Sequence, residues 1–138
     1  MEYYILNTNR KMNPSGDDEF RMLDEGIAAA YLKNKKKVDK LETGDVIFLY
    51  RVGEGVIAYG TVDSKLHVKT YKKLPGEEHY KFLTNFYSFP DTPISAEDIK
   101  SLTDHKIAFQ QAIFKIRPLI GKALLSECEN RSQIARAA

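Results

Sequence analysis

Tryptophan is missing from the 138 residues, and cysteine occurs once, at Cys128. A single thiol excludes an intramolecular disulfide and a cysteine-built zinc site, and it fits a reducing compartment. Long hydrophobic runs are missing too. The longest are of strand length, short of the roughly 20 apolar residues that cross a bilayer as a helix. The chain opens directly on Tyr3-Tyr4-Ile5-Leu6, with no basic stretch leading into an apolar one, so no secretory leader is read and a cytoplasmic protein is expected. A strong excess of one charge is also lacking: the net charge is +2, too small for global electrostatics to argue for nucleic acid. The histidines His67, His79 and His105 are scattered, and none stands at metal-ligand spacing with another donor. Glycine-rich phosphate loops and nucleophile elbows are absent as well. No metal, cofactor or catalytic group is expected.

What is present suits one globular domain. Apolar residues make up 43% and charged residues 29% of a chain long enough for one core, and such a chain buries roughly two-thirds of its unfolded surface. Lysines gather on both sides of the central segment, at Lys33, Lys35, Lys36, Lys37 and Lys40 before it and at Lys65, Lys69, Lys72 and Lys73 after it.

That central segment, 44–62, is the most informative. Thr43-Gly44-Asp45 opens an apolar, β-branched and aromatic run, and Gly53-Glu54-Gly55 turns it into a second one, predicting a hairpin of two buried strands. Gly60 inside the second strand predicts a bulge or a close approach. Upstream, Tyr3–Leu6 reads as a strand that ends in the polar quartet Asn7-Thr8-Asn9-Arg10, and polar residues leaving a strand often line a site. From Asp17 a helical stripe runs through Phe20, Leu23, Ile27, Ala30 and Tyr31, with Gly26 as a weak point or a break between two short helices. Val38 and Leu41 suggest one further turn.

Downstream, 66–71 is read as a strand, 73–78 as a loop and 79–87 as a strand with aromatics on both faces. Ser95-Ala96-Glu97-Asp98 predicts a capped helix start, 109–116 a last strand, and Pro118 the start of a last helix. The domain is expected over 1–125, followed by a polar tail over 126–138. The order of elements implies a single α+β domain around a mostly antiparallel barrel.

Eight tyrosines, seven phenylalanines and the amides Asn7, Asn9 and Asn85 near strand ends form the remaining functional signal. Such side chains stack on a planar base and hydrogen-bond its edge. Phe48, Phe82 and Phe114 are expected in the core. For Tyr31, Tyr50, Tyr59 and Tyr87 both a pocket wall and a core position stay open.

The hairpin Gly44–Arg51 and Gly55–Gly60, the opening 3–9, the segment 22–31 and the stretch 93–99 together resemble the EVE-type branch of the PUA-like superfamily, related to YTH and ASCH domains. The resemblance covers most of 3–125. It implies a PUA-like, mostly antiparallel β-barrel flanked by short helices, acting as a non-catalytic nucleic-acid-binding domain that accommodates a flipped base, a modified one included, in an aromatic-walled pocket. The implied partner is DNA or RNA carrying a modified base, with a separate nuclease or restriction component as a further partner. Carried over residue by residue, Asn7, Thr8 and Asn9 match the polar residues assigned to the base edge. Tyr50 and Arg51 match the strand end beside the pocket, as wall and as phosphate or base contact. Tyr31 and Tyr87 are added as stacking candidates. YTH cages use tryptophan, which this chain lacks, so a tyrosine or phenylalanine cage, or another ligand, remains open. The alternatives are an ASCH-like enzyme acting on RNA or a small amide or nucleoside, whose Gly-x-Lys-x-x-Glu-x-Arg signature is missing here, and a protein-interaction module.

Overall fold

The computed structural model describes residues 1–107 and 111–137. Seven strands form one curled sheet in the order β2 (Ile27–Tyr31), β6 (Leu74–Ser88), β4 (Gly55–Val62), β3 (Val46–Arg51), β1 (Tyr3–Asn7) and β7 (Ile113–Ile116), with β5 (His67–Tyr71) paired to β6 as a side branch. β1 (Tyr3–Asn7) runs parallel to β3 (Val46–Arg51), and the other pairings are antiparallel. The fold class is therefore α+β, with a curled, barrel-like sheet and flanking helices, as the sequence implies.

The hairpin of β3 and β4 (Gly55–Val62) forms where expected. Gly53 and Gly55 both take positive φ at its turn, +79° and +137°. Gly60 is a close-approach site: a Cβ there would lie 2.9 Å from the Cβ of Leu83 and 3.2 Å from the Phe86 ring. The pairing of β4 with β6 (Leu74–Ser88) shifts register between Tyr59 and Thr61 beside it.

Three expectations are corrected. The helical stripe does not continue to Tyr31. Helix α1 (Asp17–Glu25) stops at Gly26, a left-handed C-cap whose N–H donates to the Met22 carbonyl, and β2 (Ile27–Tyr31) follows. Pairing along β6, from Ile27↔Phe82 to Tyr31↔Glu78, overrides the helical preference of three alanines. The loop read over 73–78 shrinks to a tight turn at Lys72 and Lys73, whose φ values of +47° and +68° suit a two-residue hairpin turn. Leu74 onward thus joins β6, opposite β5 (His67–Tyr71). Phe82 is no core residue: it is 37% exposed, because β6 turns Lys81 and Leu83 inward instead. Phe48 is fully buried and Phe114 packs partly buried against the core, both as expected.

The turn around Val38 is a 3-10 helix, Leu32–Lys40, with Val38 and Leu41 buried. It is tied to β6 by His79 Nδ1 against Asp39 Oδ1 at 2.7 Å and by the Lys81 ammonium donating to the Leu41 carbonyl. Helix α2 (Ala96–Thr103) starts in the expected capping box, Asp98 N–H donating to Ser95 Oγ at 3.0 Å and Ser95 N–H to Asp98 Oδ2 at 3.2 Å. The last strand is short, β7 (Ile113–Ile116), and the expected start at Phe109 lies outside the described residues. Helix α3 (Pro118–Ala137) runs on through the segment expected as a polar tail. Leu124, Cys128 and Ser132, spaced by four, keep one stripe of it buried, and the Ser132 hydroxyl meets Tyr59 OH at 3.2 Å.

Two cores lie on the two sides of the sheet. The inner one gathers Leu6, Ile47, Leu49, Ile57 and the alanines of β2, and the outer one, under α2 and α3, gathers Tyr3, Phe48, Tyr50, Tyr59 and Phe89.

Candidate nucleic-acid interface

Among the described residues the curled sheet does not close. β2 is one end of the strand order and β7 the other, and a cavity of about 330 Å³ opens where these ends approach. Its walls come from the end of β1 and the loop after it (Asn7, Asn9, Arg10, Lys11), from β2 (Ala29, Ala30, Tyr31), and from the approach to β7 (Gln111, Ala112). Asn34 of the 3-10 helix and Val52 of the hairpin turn complete them, with Met12. The volume is at the lower end of the roughly 300–1,000 Å³ typical of small-ligand pockets.

Asn7 is fixed at the seam by two bonds. Its backbone N–H donates to the Ala112 carbonyl at 2.8 Å and its side-chain Nδ2 to the Gln111 carbonyl at 2.5 Å. The remaining side-chain oxygen, Asn7 Oδ1, is buried without a hydrogen-bond partner among the described residues, and so is the hydroxyl of Tyr31. Both residues line the cavity. The Tyr31 ring packs on Tyr71, centroids 4.4 Å apart. Burial above all, then the nearby carboxylates of Asp18 and Glu78, push its phenol far above the ordinary tyrosine range, so the hydroxyl stays neutral.

Asn9 takes a left-handed backbone, φ +65°, and its amide donates to Asp18 Oδ2 at 2.9 Å, the oxygen that also accepts from Tyr71 OH at 2.8 Å. Asp18 thereby holds the cavity rim to the Tyr31–Tyr71 pair.

Behind this wall lies a charged layer. Thr8 is 1% exposed and faces Glu19, donating to Oε2 at 2.6 Å rather than entering the cavity. Arg51 grips the same carboxylate, with Nη2 to Oε1 at 2.6 Å and Nε to Oε1 at 2.9 Å, and also pairs with Glu54 at 3.1 Å. The bonds to Glu19, more than any other contact, raise the affinity of its guanidinium for its proton. Arg51 is thus a tie between strand end and helix. Arg10 approaches Glu19 at 3.8 Å while lining the cavity.

The remaining sequence candidates stand elsewhere. Strand alternation turns Tyr50 to the outer core, where it is 7% exposed and burial raises its phenol pKa. Tyr87 borders a separate groove of about 400 Å³ between the sheet and α3, its ring tilted 36° against Tyr59 at 5.8 Å. The structure therefore brings Asn7, Asn9 and Tyr31 together, sets Thr8 and Arg51 behind them, and leaves Tyr50 and Tyr87 on the far side of the sheet. Sequence reasoning missed Lys11, Asn34, Val52 and Gln111. Of these only Asn34 carried a signal, its place inside the lysine run. Among the described residues no cluster of histidine, cysteine and carboxylate side chains suits a metal ion.

The residues lining the cavity carry an amide oxygen, a neutral hydroxyl, small alanine side chains and two cations, Arg10 and Lys11. That set suits a planar ring with hydrogen-bonding edges and an attached anion. The same backbone path occurs in solved structures. The chain overlays the YTH domain-containing protein Mmi1, solved as a complex with RNA, at a TM-score of 0.61 and 12% identity, covering 99% of this chain and 87% of that one.

The fold is YTH-like. A second structure of the Mmi1 YTH domain matches over 100% of both chains at a TM-score of 0.57 and 14% identity. A hypothetical protein from Leishmania major overlays this chain at a TM-score of 0.63 and 13% identity, over 95% of this chain and 96% of that one. No protein-family model matches the chain, and no curated protein does.

Proposed function

We propose that this YTH-like chain is a non-catalytic nucleic-acid-binding domain of the EVE-type branch, which takes a flipped base, a modified one included, into the seam cavity. One observation carries the reading: Asn7 and Tyr31 line the same cavity, and each holds a buried polar atom, Oδ1 and OH, that has no hydrogen-bond partner among the described residues. An unsatisfied buried polar group costs about 1–3 kcal/mol, and an occupant that pairs with it recovers that cost on binding. Asn7 has its amide nitrogen engaged, so it presents an acceptor and selects an N–H on the ligand, such as the exocyclic amine or ring N–H of a base. Arg10 and Lys11 suit the attached phosphate. The RNA-bound Mmi1 structures support the choice of nucleic acid over other planar anions.

The test is a fluorescence-polarisation titration of the full chain against short DNA and RNA oligonucleotides carrying unmodified, 5-methylcytosine, 5-hydroxymethylcytosine or N6-methyladenine positions. Asn7→Ala is expected to weaken binding by about 1–3 kcal/mol, the scale of one specific base contact. Tyr31→Phe is expected to weaken it by about 1 kcal/mol while leaving thermal stability equal or higher, because it removes a buried hydroxyl that has no partner among the described residues. Parent-like binding by both variants overturns the reading.

A further inference from the structure

A second set of rings lies outside the cavity. On β5 and β6, His67 stacks on Tyr80 with centroids 5.2 Å apart and planes 20° apart, and Phe82 stands nearly perpendicular to both, at 5.0 and 5.6 Å. Arg21 of α1 sits over the Tyr80 ring at 5.0 Å. Phe82 is 37% exposed, and His67 and Tyr80 are half-buried. The cluster is in register with the cavity wall: Ala29 of β2 lines the cavity, Tyr80 is its partner on β6, and His67 is the partner of Tyr80 on β5. The rings therefore begin one strand away from the cavity.

Charge of both signs surrounds them, since Arg21 pairs with Glu25 and Glu78 and the Asp63 N–H donates to the Phe82 carbonyl at 3.0 Å, but the β5 side is basic. The stretch 65–73 contains Lys65, Lys69, Lys72 and Lys73 and no carboxylate, and all four lysines are exposed. β5 pairs only with β6, and lysines on such an edge strand discourage edge-to-edge association. That accounts for the lysines. It does not account for an exposed phenylalanine packed against a stacked histidine and tyrosine beside them. Rings on a sheet with cations along the flank are the chemistry that holds single-stranded nucleic acid, the bases stacking on the rings and the phosphates following the cations.

We propose that His67, Tyr80 and Phe82, flanked by Lys65 and Lys69, form a stacking platform for a single strand, holding nucleotides that neighbour the base in the cavity. The inference takes the identity of the strand from the preceding reading, but the platform itself does not depend on the cavity. The probes are fluorescein-labelled 12-nucleotide oligouridine and oligodeoxythymidine, unmodified, titrated with the full chain at two salt concentrations.

Phe82→Ala is expected to lower affinity roughly 5- to 150-fold, the equivalent of about 1–3 kcal/mol for one stacked base. Phe82→Tyr is expected to retain the parent affinity, and the thermal midpoint of both variants is expected to stay close to the parent's. The proposal is overturned if Phe82→Ala and His67→Ala both bind like the parent, or if Phe82→Leu restores full affinity, which would mark an apolar protein-docking patch. It is also overturned if the parent binds neither oligonucleotide. Failure of the cavity reading is separable: Asn7→Ala and Tyr31→Phe would then bind as the parent while Phe82→Ala still loses affinity.

Discussion

The two sides of strands β1 and β3 are equally dry and differently furnished. On the inner side Leu6, Ile47 and Leu49 meet the alanines of β2, and on the outer side Tyr3, Phe48 and Tyr50 meet α2 and α3. The large rings fill the space between sheet and helices, as in the stacked pair Tyr3 and Phe48 at 6.4 Å. The cavity opens on the other side, where Ala29 and Ala30 leave a wall without bulk. Room for a ligand in a small barrel comes from small inward side chains rather than from many aromatic ones. Here the one ring that lines it among the described residues, Tyr31, packs on Tyr71.

The largest expected break of this contrast is on the outer side. Phe48→Ala is expected to cost about 3–5 kcal/mol in urea denaturation, since the side chain is fully buried, with ligand affinity unchanged while the protein stays folded. If affinity falls in proportion, the two sides are not independent. Next in size is Glu19→Ala, on the layer between them. Glu19 is 4% exposed and joins Thr8, Arg51 and α1, so its removal strands a mostly buried guanidinium and is expected to cost about 3 kcal/mol. Because the cavity rim is anchored through this layer, oligonucleotide affinity should fall as well. Gly60→Ala is expected to cost about 1–3 kcal/mol by overpacking against Leu83, measured by thermal unfolding.

The hairpin and the capping box at Ser95 were legible in the sequence because each is written in local chemistry, whereas Gly26 reads as a weak point or a break between two helices and not as the end of one. β2 was not legible. Ile27, Ala30 and Tyr31 continue the helical spacing of α1, and only pairing with β6, some fifty residues onward, makes a strand of them. The same gap explains Phe82: alternation along 79–87 showed two possible faces, and the inward turn of Lys81 toward the carbonyl of Leu41 decides between them. Of the residues that line the cavity, Asn7, Asn9 and Tyr31 were named from residue type and resemblance. Gln111 could not be, since its backbone carbonyl meets Asn7 from 104 residues away.

The smallest expected effect sharpens the contrast by pH. Burial holds the phenols of Tyr31 and Tyr50 above the ordinary value near 10. Above pH 10 the unfolded chain gives up these protons first, so the folded state binds more protons and stability falls as pH rises. Stability from each group is fully present below pH 10. Replacing Tyr31 by Phe removes one such group, and the loss of stability between pH 10 and 11 is expected to become shallower by about 1 kcal/mol. Tyr50→Phe is expected to act in the same direction. A bound ligand separates the two. An occupant that hydrogen-bonds the neutral hydroxyl of Tyr31 stabilises the parent more than the Tyr31→Phe variant, whereas Tyr50→Phe, across the sheet, keeps the parent's gain from ligand. Chemical denaturation at the two pH values, with and without the best oligonucleotide, reads both. An equal response of the two tyrosines to ligand would place the binding site on neither side in particular and remove the cavity from the argument.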